Sequence, residues 1–379
     1  MNIYYIYRIF ADIMYIHQLK DWPDFTWDLE ALSPVLGTVR HRQGKILGQM
    51  SALGFELREK ALLETLTADV VKSSEIEGER LNEDQVRSSI ARRLGIALAG
   101  AVPAERNVEG VVEMMLDATQ NYSNELNTSR LFDWHAALFP TGRSGMQKIT
   151  VAEWRGPDAG PMQVVSGPMV RERINFEAPT SERLQGEMEK FLNWFNVSSD
   201  TDPVVKAAVA HIWFVTIHPF DDGNGRITRA ITDMQLARAD ESPLRFYSIS
   251  AEILKERPAY YEVLERTQKG GLDITAWIKW FLECLNHSMD QTEQTMSAVM
   301  QRKAFWEKHR ETVFNSRQQK MIAVLLDDFF GSLNTSKWAK ITKSSADTAL
   351  RDIQDLLNKG VLEKTDAGGR STSYTLITA

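Results

Sequence analysis

His211-Ile-Trp-Phe-Val-Thr-Ile-His218-Pro219-Phe220-Asp221-Asp222-Gly223-Asn224-Gly225-Arg226-Ile227-Thr228-Arg229 is the most informative segment of the chain. From Val204 to Ile217 the residues are apolar on nearly every side, which predicts a buried helix. Pro219 disfavours helical geometry at His218 and ends that run. Asp-Gly-Asn-Gly then tolerates unusual backbone angles and exposes N–H groups, with a new helix expected near Arg226. A glycine-rich turn emptying into a helix N-terminus is an anion site, because free N–H groups and the helix dipole both favour negative charge. Arg226 and Arg229 share one face of that helix and are spaced to grip successive phosphates. Asp222 offers a hard carboxylate oxygen for a magnesium ion shared with those phosphates. His218 stands just before the loop, within reach of whatever attacks the phosphate.

Taken singly, each of these features has a plainer reading. Asp-Gly-Asn-Gly by itself is most often only a turn, and a histidine closing an apolar helix is more often a core or cap residue than a base. What argues otherwise is that histidine, carboxylate, glycines and spaced arginines all fall within residues 218–229.

That segment resembles the signature of the Fic family, His-Pro-Phe-x-Asp/Glu-Gly-Asn-Gly-Arg-x-x-Arg, at every specified position. It is not a Walker loop, since Gly-x-x-x-x-Gly-Lys-Ser/Thr does not occur in the chain. The resemblance implies a protein adenylyltransferase that moves AMP from ATP to a Ser, Thr or Tyr hydroxyl. His218 would be the general base and Asp222 the magnesium ligand. Asn224 and the amides of Gly223 and Gly225 would cradle the α- and β-phosphates. Arg226 would contact the phosphate chain and Arg229 the γ-phosphate. The family variant that phosphorylates its target has Lys at the second loop glycine, and Gly225 here favours AMP transfer. Tyr260 and Tyr261 match where the family places an aromatic near the base, and ordinary core packing accounts for them equally well. His211 is assigned to structure. The hairpin near 166–178 corresponds to the family's flap, on which a target segment docks by strand addition.

Earlier in the chain, Ser73-Ser74-Glu75-Ile76-Glu77-Gly78 matches the family's inhibitory pattern Ser/Thr-x-x-x-Glu-Gly/Asn. Glu77 is physically odd, because a carboxylate in the last turn of a helix opposes the helix dipole. A cation outside the helix accounts for it better, and Arg229 is the natural partner, with Ser73 one turn earlier fixing the helix beside it. By resemblance, Glu77 would compete with the γ-phosphate for Arg229. In some relatives such a residue orients a water that removes AMP again.

Beyond this centre the chain reads as mainly α. Leu62, Leu63, Leu66 and Val70 recur at helical spacing, Gly78 ends their helix, and Asn82 with Gln85 caps the next. Glycines and prolines between about Pro140 and Pro179 mark loops and a β-hairpin, with strand-like runs Met162–Ser166 and Arg171–Phe176. Helices resume at Ser181 and continue to about Arg310. Near the end, Trp338–Ile341 and Ser344–Asn358 read as helices. Strand-like runs Val361–Lys364 and Ser373–Leu376 flank the turn Asp366–Arg370, giving the order of a winged helix-turn-helix. The expected layout is an N-terminal helical domain with the inhibitory motif (1–104) and a Fic catalytic core with a β-hairpin flap (105–290). A helical linker (291–319) and a winged helix (320–379) follow.

Composition narrows the classes. Hydrophobic residues at 43% and charged residues at 25% are ordinary globular usage, and a net charge of −7 excludes the whole molecule as an electrostatic partner for nucleic acid. The single cysteine, Cys284, excludes an intrachain disulfide and a thiolate zinc cage. Long apolar stretches are missing, so no membrane partner is expected. Met1–Ile16 lacks a cleavage site and is broken by Arg8 and Asp12, so the expectation is a cytoplasmic protein, with residues 1–13 an upstream extension. ATP and Mg2+ are the implied cofactors. Implied partners are a protein substrate on the flap, the enzyme itself through self-modification, and a second copy in a homodimer. Charges across 320–379 nearly balance, so DNA contact and protein docking both stay open for the winged helix. The rival functions are a nucleotide-sensing transcription regulator and an enzyme transferring another phosphate-containing group.

Overall fold

The computed structural model describes residues 14–52, 54–98, 100–157, 160–166, 173–326, 333–365 and 372–377. The expected upstream extension 1–13, residues 167–172 of the expected flap and the expected turn 366–370 lie outside the described residues. The chain forms two compact units, Met1–Thr292 and Glu293–Ala379.

The first unit is helical, with α1 (Leu29–Ser51), α2 (Phe55–Ile76), α3 (Glu83–Leu94), α4 (Arg106–Gln120) and α5 (Thr128–Leu138). Two short ribbons follow, β1 (Arg143–Ser144) with β2 (Gln147–Lys148), then β3 (Gln163–Ser166) with β4 (Arg173–Glu177). The helices resume as α6 (Leu184–Asn196), α7 (Pro203–Ile217), α8 (Asn224–Asp240), α9 (Ile249–Lys255), α10 (Arg257–Gln268) and α11 (Thr275–Ser288).

At the centre stands the α7–loop–α8 pair. The Asp202 side chain caps α7 by accepting from the Val204 amide at 2.8 Å, and Pro203 occupies the first turn, where its missing N–H costs nothing. Every residue from Val204 to Ile217 is buried, as the continuous apolar run predicts. Neighbouring helices are tied to α7 by polar contacts as well as by packing. His211 bonds Thr232 of α8 and Tyr260 of α10, each at 2.9 Å, and Trp277 of α11 donates to the Ala208 carbonyl at 2.8 Å. With α7 buried all round, the loop that follows it is held at a constant position relative to α8.

Leu62, Leu63, Leu66 and Val70 bury one face of α2. This helix ends in a Schellman turn. The Gly78 amide donates to Glu75 at 3.0 Å and the Glu79 amide to Ser74 at 3.0 Å, with Gly78 at a φ of +84° that suits glycine. Asn82 then caps α3 by accepting from the Gln85 amide at 3.0 Å.

The hairpin is braced from below by the start of the described chain. Tyr15 meets Phe176 edge-on with ring centres 5.1 Å apart, and His17 donates to the Glu177 carbonyl at 2.8 Å. Residues 15–17 therefore help hold β4 in place.

The second unit holds most of α12 (Asp290–Lys308), with α13 (Ser316–Leu326), α14 (Thr335–Thr342), α15 (Ala346–Asn358), β5 (Leu362–Thr365) and β6 (Ser373–Leu376). β5 and β6 pair antiparallel, and Leu333 bridges to Tyr374. Its own core gathers Met321, Ile322, Trp338, Ile353 and Leu356, and Arg317 forks onto Asp352 at 2.7 and 3.0 Å. No helix among the described residues is long and apolar enough to cross a membrane.

Gly110 of α4 lies against the backbone of α5, and a Cβ there would fall 1.7 Å from the Ala137 carbonyl oxygen. Gly110→Ala must therefore push α4 and α5 apart. The expected loss is about 1–3 kcal/mol, seen as a lowered denaturation midpoint at unchanged m-value.

Candidate active site

Helix α8 begins at Asn224, two residues earlier than expected, with Gly223 as its cap at φ +81°. The amides of its first turn have no intrahelical partner. The loop ahead of it is caged. His218 is left-handed, at φ 51° and ψ 59°, a conformation that costs a non-glycine residue about 1–2 kcal/mol. Arg155 secures it by donating from Nε to the His218 carbonyl at 2.8 Å and from its own amide to the Pro219 carbonyl at 2.9 Å. His135 stacks on Phe220 with ring centres 4.2 Å apart. Its Nδ1 accepts from the Ala152 amide at 3.2 Å, so Nε2 carries the proton and donates to the Asp222 carbonyl at 3.1 Å. Burial pushes His135 down to about 4, so it stays neutral in this role.

Asn224 accepts from the Phe220 amide at 3.0 Å and donates to the Phe220 carbonyl at 2.8 Å. Its side chain is thus a loop brace, which leaves its backbone N–H as the group open to an anion. Asp222 accepts from the Gly223 amide at 2.5 Å and from the Ser144 hydroxyl.

His218 lies 3.1 Å through Nδ1 from the Val215 carbonyl, which only accepts. Nδ1 therefore carries the proton and Nε2 keeps its lone pair. Burial, aided by the Arg155 charge, holds His218 below the ordinary histidine value, against the opposing pull of Glu77 and Asp222.

The two arginines are already occupied. Arg229 has a fully buried side chain and pairs with Glu77 at 2.8 Å. It also donates from Nε to the Ser73 hydroxyl and from Nη2 to the Ser73 carbonyl, each at 2.8 Å. Burial works against its charge, but the Glu77 carboxylate outweighs this and holds the guanidinium above its usual value. Arg226 pairs with Glu79 at 2.7 Å, and its guanidinium lies 5.1 Å from the centre of the Phe139 ring. Gly225 lies directly under Glu77, so that a Cβ there would fall 2.0 Å from the carboxylate oxygen. A side chain at 225 and the Glu77–Arg229 contact exclude one another.

Two hollows meet at Glu77. One, of about 960 Å³, lies under the hairpin and is lined by His218, Gly225, Arg257, Tyr261 and Gln268. The other, of about 770 Å³, is lined by Asp222, Arg226, Glu79, Ser144 and Arg106. Glu77 lines both and stands as the wall between them. A larger hollow of about 1160 Å³ between α3, α4 and α5 shares Arg106 with the second of these and carries none of the groups of the loop, α8 or the end of α2.

The structure therefore brings together His218, Asp222, Gly223, Asn224, Gly225, Arg226, Arg229, Ser73 and Glu77. The two tyrosines differ in exposure, with Tyr260 buried on His211 and Tyr261 39% exposed in the cleft, their ring centres 5.2 Å apart. His135, Ser144, Arg155 and Glu79 were not anticipated. The first three lie far from the loop in sequence, and only Glu79, beside the inhibitory motif and carrying a like charge, had a signal in the sequence.

Residues 125–236 match the Fic/DOC family and residues 15–96 match a domain of unknown function, DUF4172. The chain carries a Fic/DOC domain preceded by a DUF4172 region. Among named relatives, the protein adenylyltransferase Fic of Drosophila willistoni is 34% identical over 105 residues, 27% of this chain and 20% of that protein. The Nematostella vectensis protein of the same name is 34% identical over 117 residues, 30% of this chain and 25% of that one. The chain thus matches about a fifth to a quarter of the length of these relatives. A Fic family protein from Desulfovibrio desulfuricans G20 shares the fold, with a TM-score of 0.50 at 19% identity, over 92% of this chain and 96% of that one.

Asn224→Ala removes both bonds to Phe220 and leaves a buried amide and carbonyl unpaired. The expected cost is about 2–4 kcal/mol, read by denaturant unfolding. A loss below about 0.5 kcal/mol would mean that the loop does not depend on this brace.

Proposed function

We propose that this protein transfers AMP from ATP to a hydroxyl of a protein, with Glu77 as a built-in brake. The observation that carries the reading is His218, its Nδ1 3.1 Å from the Val215 carbonyl, beside a helix N-terminus bearing Arg226 and Arg229. Match to the Fic/DOC family and to relatives named adenylyltransferases supports the nucleotide chemistry.

In this reading the triphosphate lies along the first turn of α8, with Gly223, Asn224 and Gly225 amides, Arg226 and Arg229 as its donors. Nε2 of His218 takes the proton of the target hydroxyl as its oxygen bonds to the α-phosphorus. The bond from the α-phosphorus to the bridging oxygen breaks, and pyrophosphate leaves. Asp222, an oxygen donor held by Ser144 and the Gly223 amide, fits a magnesium ion, which would neutralise phosphate charge when bound. Tyr261 is the aromatic available to the adenine and Tyr260 its support in the core. The target segment would lie along the β3–β4 hairpin, whose exposed Val165 and Ile174 offer apolar contacts.

Glu77 on Arg229 denies the γ-phosphate its anchor, and the wall it forms closes the cleft midway. We take residues 105–290 as the catalytic core. The helices and β-hairpin of the second unit follow the order of a winged helix, which we read as a docking module.

Purified protein with magnesium and ATP labelled at the α- or γ-phosphate tests the reading. Label from α and not γ is expected on protein, raised roughly ten- to hundredfold in Glu77→Gly, the scale of a close charge pair. His218→Ala should lower transfer about 10²–10⁴-fold while sparing nucleotide binding. Label from γ would mean a kinase instead.

The pH profile carries a second expectation. The base works neutral, and burial lowers its pKa from the usual 6.5, so the acid limb of transfer should have its midpoint below 6.5. An acid limb above 6.5 in kcat would assign the titration to another group.

A further inference from the structure

Arg226 is nine-tenths buried, and its partner is Glu79, a residue outside the recognised inhibitory pattern. The Schellman turn at the end of α2 explains how two carboxylates reach two arginines. Gly78, left-handed at φ +84°, reverses the chain between Glu77 and Glu79. The arginines lie one turn apart on α8, and each receives one carboxylate, at 2.8 Å on Arg229 and 2.7 Å on Arg226.

Neither pairing is complete. Arg226 Nε and Arg229 Nη1 are both buried without a hydrogen-bond partner among the described residues. A carboxylate presents two oxygens, whereas a polyphosphate presents several along its length and would meet the donors left over. Glu79 is also weakly tethered. It is about one-third exposed, and its other oxygen lies 3.5 Å from Asn107 Nδ2, at the limit of a hydrogen bond.

We propose that Glu79 is a second competitor for phosphate, holding Arg226 as Glu77 holds Arg229. The turn at the end of α2 is then a two-pronged stopper, and clearing one prong leaves the other in place. The inference rests on the proposed function only in taking the arginines as phosphate ligands. It adds that release must free both arginines, and that a ligand with one phosphate gains less from release than one with three.

Inorganic triphosphate titrated calorimetrically into the full chain tests this without requiring catalysis or adenine. Glu79→Gln is expected to tighten its binding about five- to tenfold, and Glu79→Ala at least as far. Combining Glu79→Gln with Glu77→Gly should multiply the separate gains. Glu75→Gln is the charge-matched control, because Glu75 is half-buried on the same turn and paired with Lys72 at 2.9 Å rather than with either arginine; it should change binding less than twofold. Unchanged or weaker binding in Glu79→Gln overturns the proposal. An equal gain in Glu75→Gln overturns it too, by reducing the effect to net charge, as does absence of binding in every variant. Tightened triphosphate binding with no preference for ATP would leave the role of Glu79 standing and remove the nucleotide reading.

Discussion

The charge of Arg229 is the constraint on which the site depends. Its guanidinium is fully buried on α8, surrounded by helices that cannot hydrate it. A buried charge of this kind needs an opposite charge and hydrogen-bond acceptors. Glu77 supplies the charge, and Ser73 supplies two acceptors from the same helix. The end of α2 is therefore seated by electrostatics as well as by its apolar face. Glycine at 225 follows from the same contact, because the Glu77 carboxylate occupies the space a side chain would need. An anion bound at this arginine and the α2 carboxylate are alternatives for a single charge, which makes the site intrinsically two-state in the proposed reading.

The loop between α7 and α8 is organised on the opposite principle, as a rigid element with its polar groups satisfied. Asn224 holds Phe220 from within, while Arg155 and His135 hold the loop from outside. His218 sits at the junction in a left-handed conformation, its ring oriented by the Val215 carbonyl. Such strain persists only where the surroundings over-determine it, and this cage does so. His218 and the helix N-terminus are thus held in place by the surrounding protein, without any ligand.

Much of this was legible because the signals are local. Continuous apolar character from Val204 to Ile217 announced a buried helix, and Pro219 and the glycines announced its end. Ser73 and Glu77, one turn apart on a helix ended by Gly78, announced a face with an unmet charge. Other features escaped because their partners are remote. His135 and Ser144 reach Asp222 across some eighty residues, and nothing around Arg155 marks it as the support of His218. Resemblance places Asn224 at the phosphates, and nothing local in the sequence signals that its side chain also braces Phe220. Tyr260 and Tyr261 are neighbours in sequence, but the helical rotation between them sends one into the core and the other into the cleft.

By itself, the sequence determined the elements and their order, the mainly helical class, and which residue types gather at the N-terminus of α8. These depend on periodicity, caps and glycine conformations, all of them interactions within a few residues. The tertiary structure alone decided which carboxylate meets which arginine, which tyrosine is exposed, and which histidine nitrogen carries its proton. Those outcomes depend on packing between segments far apart in the chain, where burial removes water as an alternative partner and makes each pairing obligatory.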